Sequence, residues 1–266
     1  MKEYLALFRI RFINGLQYRA AALAGLSTQF AWGFMEILAF SAFYRANPAA
    51  FPMEFSRLVS YIWIQQAFLH LFAPWGNDAG SSIELIISGD IAYDLARPMD
   101  IYSRWFVETT ANKIARTALR CLPVLLVAFI LPASIRMSLP PSPSQALLFA
   151  ASVPLSLCVV TAYCMLDCIS VFYTMSRQNP IFAIAADFFA GGYIPLPFFP
   201  APLRKIVELT PFAAMNNMPL RIYSGDITGV AAVRGILLQV FWCAALLLLG
   251  KLLMRHALGR VVAQGG

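Results

Sequence analysis

Three acidic side chains lie inside stretches that are otherwise apolar: Glu36, Asp167 and Asp187. An ionisable side chain at membrane depth costs roughly 2.5–3.5 kcal/mol on insertion scales, so each is a candidate for a proton relay or a transport pathway. The alternative, which we favour, is interhelical hydrogen bonding or packing of neutral carboxyls at a bundle or dimer interface. We therefore treat the three acids as pathway or interface residues.

No catalytic motif accompanies these acids. The sequence contains no HExxH and no Ser–His pair. Asp187 follows Ala-Ile-Ala-Ala, whereas aspartyl intramembrane proteases place Gly-x-Gly before the aspartate. A P-loop is also absent, because Leu252 stands where the loop at Gly250–Lys251 needs a hydroxyl residue. We expect no enzymatic activity and no bound nucleotide or other cofactor.

A metal site is also not expected. Cys164 and Cys168 share one helical face, but zinc takes four ligands and the only histidines are His70 and His256. Small packing residues at a helix interface are the simpler interpretation of the two cysteines. The odd number of cysteines, five in all, argues against a secreted disulfide framework.

The composition indicates a membrane protein. Of the 266 residues, 60% are hydrophobic and 12% are charged, whereas a soluble domain carries about 25% charged residues. Runs of about 20 apolar residues predict membrane-spanning helices, since barrel strands are shorter and alternate. The sequence therefore predicts an all-α polytopic protein with six spans, which are 20–44, 58–75, 115–132, 145–173, 181–199 and 230–254.

The net charge of +7 has a membrane explanation. Most lysines and arginines flank the spans on the sides that would face the cytoplasm if both termini were inside. We therefore expect cytoplasmic N- and C-termini, contact with the lipid bilayer and no nucleic-acid partner. The least certain crossing is 181–199.

The first residues, 1–19, predict a helix lying in the membrane interface. Leu5, Phe8, Phe12 and Leu16 form one stripe, although Ile10 falls on the polar side. Arg9 and Arg11 interrupt the apolar run that a cleavable signal would need.

A polar segment, 76–106, separates the second and third spans and would face the cytoplasm. Ser81 and Glu84 fit a capping box that starts a helix, and Gly89 can end it in a left-handed conformation. Asp90 would cap a second short helix, 90–96, and Asp100 a third.

The second short helix is predicted to be amphipathic. Ile91, Tyr93 and Leu95 would form its apolar side, and Asp90, Asp94 and Arg97 its charged side, with Pro98 ending the helix. This helix is either an ordinary surface segment or a docking element for a cytoplasmic partner.

The sequence resembles the permease subunits of ATP-binding cassette transporters, specifically the type-2 exporter permeases. Gly89–Tyr102 is similar to the family pattern Gly-x-Ile-x-x-x-Leu-x-Arg-Pro, which Gly89, Ile91, Leu95, Arg97 and Pro98 match. The proline-broken stretch 191–226 is similar to the family's re-entrant helix pair before the last span, and the alternative is a plain extracellular loop. The resemblance covers nearly the whole chain, which we take as one transmembrane domain, 1–266.

The resemblance implies a function. The segment 76–106 would couple the chain to a separate cassette ATPase, which would bind ATP and Mg²⁺, and a second permease chain would complete the transporter. A bacterial plasma membrane is implied in the same way. The alternative is an ion-coupled secondary transporter that uses Asp167 and Asp187, although only the second half of the sequence shows the broken helices that such carriers repeat.

Overall fold

The computed structural model describes residues 2–17, 19–75, 80–174 and 180–260, and in these parts the chain forms helices and no strand. Short 3₁₀ turns occur at Pro48–Ala50 and Leu196–Phe198. In chain order the helices are α1 (Lys2–Leu16), α2 (Arg19–Ala46), α3 (Phe55–Ala67), α4 (Leu69–Phe72), α5 (Gly80–Ser88), α6 (Ile91–Leu95), α7 (Ile101–Ile130), α8 (Pro143–Thr174), α9 (Pro180–Phe189), α10 (Ala201–Val207), α11 (Pro211–Met215), α12 (Asn217–Ser224) and α13 (Gly229–Leu258).

Four of the predicted spans coincide with single long helices, namely α2, α7, α8 and α13. The second predicted span is divided into α3 and α4, because the chain leaves helical geometry at Phe68. By length and composition, α8 and α13 are the two helices in the described parts that are apolar enough to cross a membrane. The chain is thus an all-helical protein with the character of a membrane protein.

The fifth predicted span, 181–199, is wrong as a continuous helix. α9 ends at Phe189, and Gly191 then adopts a left-handed conformation with φ of +83°. A second glycine, Gly192, follows directly, and the N–H groups of the pair donate back to the carbonyls of Phe188 and Asp187 in the turn that ends α9. Apolar composition did not reveal this break, because the residues on both sides of the glycines are equally hydrophobic.

One end of the bundle, which we call the base, collects α5, α6, the start of α7 and the C-terminal ends of α8 and α13. Its buried side chains form a single apolar cluster whose members include Ile83, Ile91, Trp105, Met165 and Met254. Three long helices therefore share the packing that holds the short helices of the polar segment.

The helix α1 packs along the base half of α7. Gly15 lies so close to Ala115 that a side chain at Gly15 would overlap it, and Arg11 pairs with Glu108 at 3.2 Å. The predicted stripe is partly wrong, because Leu5 is exposed and the face against α7 includes Arg11 and Gly15. The reason is that α1 buries its face against a protein helix, which requires a small residue at the closest approach.

At the opposite end, α11 is inserted between α8 and α13. Gln239 of α13 donates to the Ala214 carbonyl at 2.9 Å and to the Ser156 hydroxyl at 2.8 Å, and accepts from the Ser152 hydroxyl at 2.8 Å. At about 1.5 Å per residue, Gln239 lies about 15 Å along α13 from Gly229. The proline-broken stretch 191–226, to which α11 belongs, therefore reaches well into the bundle.

Two of the five cysteines form a disulfide, although the sequence argued against a disulfide framework. Cys158 of α8 and Cys243 of α13 form a disulfide, which joins the same two helices that Gln239 joins. Cys164 and Cys168 are buried, as packing residues would be.

Replacement of Gln239 by Leu should lower the midpoint of thermal unfolding of the purified chain. The change leaves the Ala214 carbonyl and the Ser152 hydroxyl without the hydrogen bonds that Gln239 makes, at a cost of about 1–2 kcal/mol in a membrane bundle. Val240→Leu is the control, since Val240 is exposed on the next position of the same helix. Equal midpoints for the two variants would show that the polar link contributes nothing.

Candidate functional site

The polar segment folds largely as its capping residues and its helix-ending glycine predict. α5 ends at Ser88, and the next residue, Gly89, is left-handed with a φ of +82°. α7 begins after Asp100, whose carboxylate accepts from the backbone N–H of Ser103 at 2.8 Å. These two predictions are confirmed. The helix over Gly80–Ser88 also forms, although the side chain of Ser81 lies outside the described residues.

Asp90 does not cap α6 in the predicted way. It occupies the position before the helix, but its carboxylate accepts from the Ser88 hydroxyl at 2.8 Å. The hydroxyl is available because Ser88 is the last residue of α5, two positions away. The turn between α5 and α6 is therefore held by a bond between side chains.

The two sides of α6 differ from the predicted ones. Ile91 is buried as expected, but Asp94 is also buried, at 5% exposure, whereas Tyr93 and Leu95 are 75% and 44% exposed. An isolated carboxylate would avoid this burial, so a partner must compensate for its charge. The outward surface of α6 is consequently aromatic and aliphatic, with Arg97 and Pro98 beside it.

The partners of Asp94 lie on the first turns of α7. Arg104 donates to one oxygen of Asp94 at 2.6 Å, and the Trp105 indole donates to the other at 3.1 Å. The same guanidinium donates to Glu108 at 3.1 Å, and Glu108 pairs in turn with Arg11 of α1. We call this set, Asp94, Arg104, Trp105, Glu108 and Arg11, the base network.

The base network fixes α6 against two helices at once. Asp94, Arg104 and Glu108 are all buried, and a buried ion pair that loses one partner is destabilised by about 3–5 kcal/mol because a charge remains uncompensated. Rotation of α6 would break the contacts of Asp94 with both Arg104 and Trp105. A displacement of α6 must therefore be accompanied by α7 and, through Glu108, by α1.

Two further contacts extend this rigidity along α7. Lys113 is buried and donates from Nζ to the Ala73 carbonyl at 2.9 Å, which ties the end of α4 to α7. Tyr102 packs against Gly250 of α13, where any side chain would overlap its ring. Burial, together with the nearby Asp100 carboxylate, raises the pKa of Tyr102 to about 12.

The three acids that the sequence predicts inside spans occupy separate elements. Glu36 lies on α2, and one of its carboxylate oxygens has no hydrogen-bond partner within the described parts of the chain. Asp167 lies on α8, where its backbone carbonyl accepts from the Ser170 hydroxyl. Asp187 lies on α9 and accepts from the indole of Trp75 at 2.7 Å.

The sequence reasoning missed most of the base network. Arg104 and Glu108 are four residues apart on one helix, a spacing typical of an ion pair, and this signal was available. Nothing in the sequence indicated that Asp94 would join them or that Trp75 would bind Asp187. Both contacts join residues that meet only after the helices pack.

The long apolar helices, the polar links inside the bundle and the rigid amphipathic base together define a helical membrane protein. A comparison with known protein families matches residues 30–265 to the family described as ABC-2 family transporter protein. The match covers most of the chain, so the chain belongs to this family and is a transport permease of the ABC type-2 class. A search among curated proteins finds no match.

Replacement of Arg104 by Leu should destabilise the chain by about 3–5 kcal/mol, because Asp94 and Glu108 would remain buried without their shared partner. Arg97 offers a matched control: it approaches the same Asp94 carboxylate at 3.7 Å, but its own side chain is 59% exposed. Arg97→Leu should cost about 0–1 kcal/mol, as exposed pairs do. Chemical denaturation in detergent measures both values, and equal losses would contradict the assigned role of the buried pair.

Proposed function

We propose that this chain is the transmembrane subunit of an ATP-driven exporter and that α6 couples it to a separate cassette ATPase. The observation that carries the proposal is the orientation of α6. Tyr93 and Leu95 point outward, while Asp94 on the opposite side is fixed to α7. A partner that moves the exposed side would therefore move the permease helices.

The exposed side of α6 has the chemistry of a docking surface. An aromatic and an aliphatic side chain on a short helix can fill an apolar groove, which is one of the recurring modes of peptide recognition. Arg97 lies beside them and remains largely exposed, so it is available to an acidic group at the rim of such a groove. Aromatic and Arg residues are typical of the positions that carry binding energy.

Closure of the ATPase would be transmitted by two routes. The base network connects α6 to α7 and α1, and the apolar cluster at the base connects it to the ends of α8 and α13. ATP and Mg²⁺ would be bound by the partner, which supplies the free energy. The permease residues supply only the mechanical connection.

The remaining assignments are consistent with this function. With six crossings, the distribution of basic residues favours cytoplasmic N- and C-termini, and α1 would lie at the same membrane surface as the base. The helices α10–α12 would form a re-entrant element at the outer side, where irregular backbone is tolerated because protein surrounds it. A second permease chain would complete the pathway in a bacterial plasma membrane.

Replacement of both Tyr93 and Leu95 by Ala should abolish recovery of a cassette ATPase with the tagged chain from gently solubilised membranes. The two side chains are exposed, so thermal stability should remain within about 0.5 kcal/mol of the native chain. The double variant Ile206→Ala/Leu209→Ala is the control, because it removes two equally exposed apolar side chains from α10 and the turn after it.

Recovery of the ATPase with the native chain and the control, but not with the α6 variant, is the expected result. Recovery of the ATPase with the α6 variant would refute docking through α6. A chain that is recovered alone and still transports would favour the ion-coupled alternative through Asp167 and Asp187.

A further inference from the structure

The carboxylate of Asp187 differs from those of the other two buried acids with described partners, Asp94 and Glu108, which both pair with a guanidinium. Asp94 is compensated by a guanidinium, whereas Asp187, at 7% exposure, is bound among the described residues only by the neutral indole of Trp75. A buried carboxylate without a cation is costly. A cationic ligand would provide the compensation that the described chain lacks.

A second acceptor lies beside this carboxylate. Gln65 of α3 donates from Nε2 to the Gly192 carbonyl at 2.5 Å, and this bond fixes the orientation of the amide. Its other atom, Oε1, is buried without a hydrogen-bond partner in the described parts of the chain, and the residue is 3% exposed. The unpaired atom is an acceptor, so the group that it lacks is a donor.

Gly192 brings the two acceptors together. Its carbonyl accepts from Gln65, and its Cα lies so close to the Asp187 carboxylate that any side chain at this position would overlap it. Its N–H also donates to the Asp187 carbonyl at 2.8 Å. The turn that ends α9 therefore places a carboxylate and an amide oxygen around one glycine.

Two partly exposed aromatic residues, Trp75 and Tyr193, lie next to Asp187 and Gly192, respectively. Trp75 retains 36% of its surface, and Tyr193, which directly follows Gly192, retains 47%. Exposed aromatic rings beside a carboxylate are typical of sites for organic cations, because ring faces attract positive charge.

We propose that Asp187, Gln65, Trp75 and Tyr193 form a binding site for a primary organic ammonium group. The carboxylate compensates for its charge, the Gln65 oxygen accepts one of its N–H donors, and the two rings contact its apolar portion. A hard metal ion fits poorly, since Ca²⁺ takes about 6–8 oxygen ligands and this site offers one carboxylate and one amide oxygen. That the bound cation is also transported rests on the proposed function, whereas its binding does not.

The test uses the purified chain in lipid nanodiscs without any ATPase, so a failed ATPase recovery and a failed binding assay are separate results. The probe is tritiated phenethylammonium, with empty nanodiscs subtracted. We expect saturable binding that unlabelled phenethylammonium displaces and phenylacetate does not. Absence of saturable binding, or equal displacement by phenylacetate, would overturn the proposal and requires no variant.

Variants then locate the site. Asp187→Asn, which keeps the size of the side chain and an acceptor for Trp75, should weaken binding at least tenfold. Glu54→Gln is the control, because it removes the same charge at an exposed residue before α3, and it should leave binding unchanged. Unchanged affinity in a folded Asp187→Asn chain would exclude Asp187 from the site.

Gln65→Met separates an acceptor from a structural residue. If Gln65 accepts from the ligand, the variant should weaken binding of phenethylammonium several-fold and leave phenethyltrimethylammonium, which has no N–H, unchanged. If both cations lose affinity equally, Gln65 only supports the turn at Gly192, and its role as a ligand-binding residue is refuted.

Discussion

The burial of the Asp94 carboxylate is the constraint on which the base of the molecule depends. Removing a carboxylate from water costs several kcal/mol, and the cost is offset only while charged or hydrogen-bonding partners stay in place. Here the partners are Arg104 and Trp105 on α7, and Arg104 is shared with Glu108, which binds Arg11 of α1. The five-residue helix α6 is too short to be stable alone, and these contacts give it a fixed orientation.

The same physical principle organises the rest of the bundle. In apolar surroundings a polar group has few partners, so each one that is satisfied connects elements distant in sequence. Gln239 holds α11 between α8 and α13, and Lys113 holds the end of α4 against α7. These links lie at different heights along the long helices. The base and the proline-broken stretch 191–226 are thus joined by helices α8 and α13.

Asp94 and Asp187 differ in how the charge of the buried carboxylate is compensated. Asp94 is held by a cation of the chain itself, so it fixes a helix. Asp187 has a single neutral donor among the described residues and lies beside exposed aromatic rings. Asp94 therefore fixes the packing of helices at the base, whereas the charge of Asp187 would be compensated by a cationic ligand.

The all-helical membrane class, four of the long helices and the turns at Gly89 and Asp100 could be predicted from the sequence, because hydropathy and helix caps are local properties. It also carried the pattern from Gly89 to Pro98 that resembles the transporter family to which the chain belongs. The packing of the helices was needed to show that Asp94 faces inward and Tyr93 outward, that α9 ends at a pair of glycines, that Trp75 binds Asp187 and that Gln65 binds the neighbouring Gly192. These features depend on which side chains other helices bring near, and a pattern of sequence spacings does not contain that information.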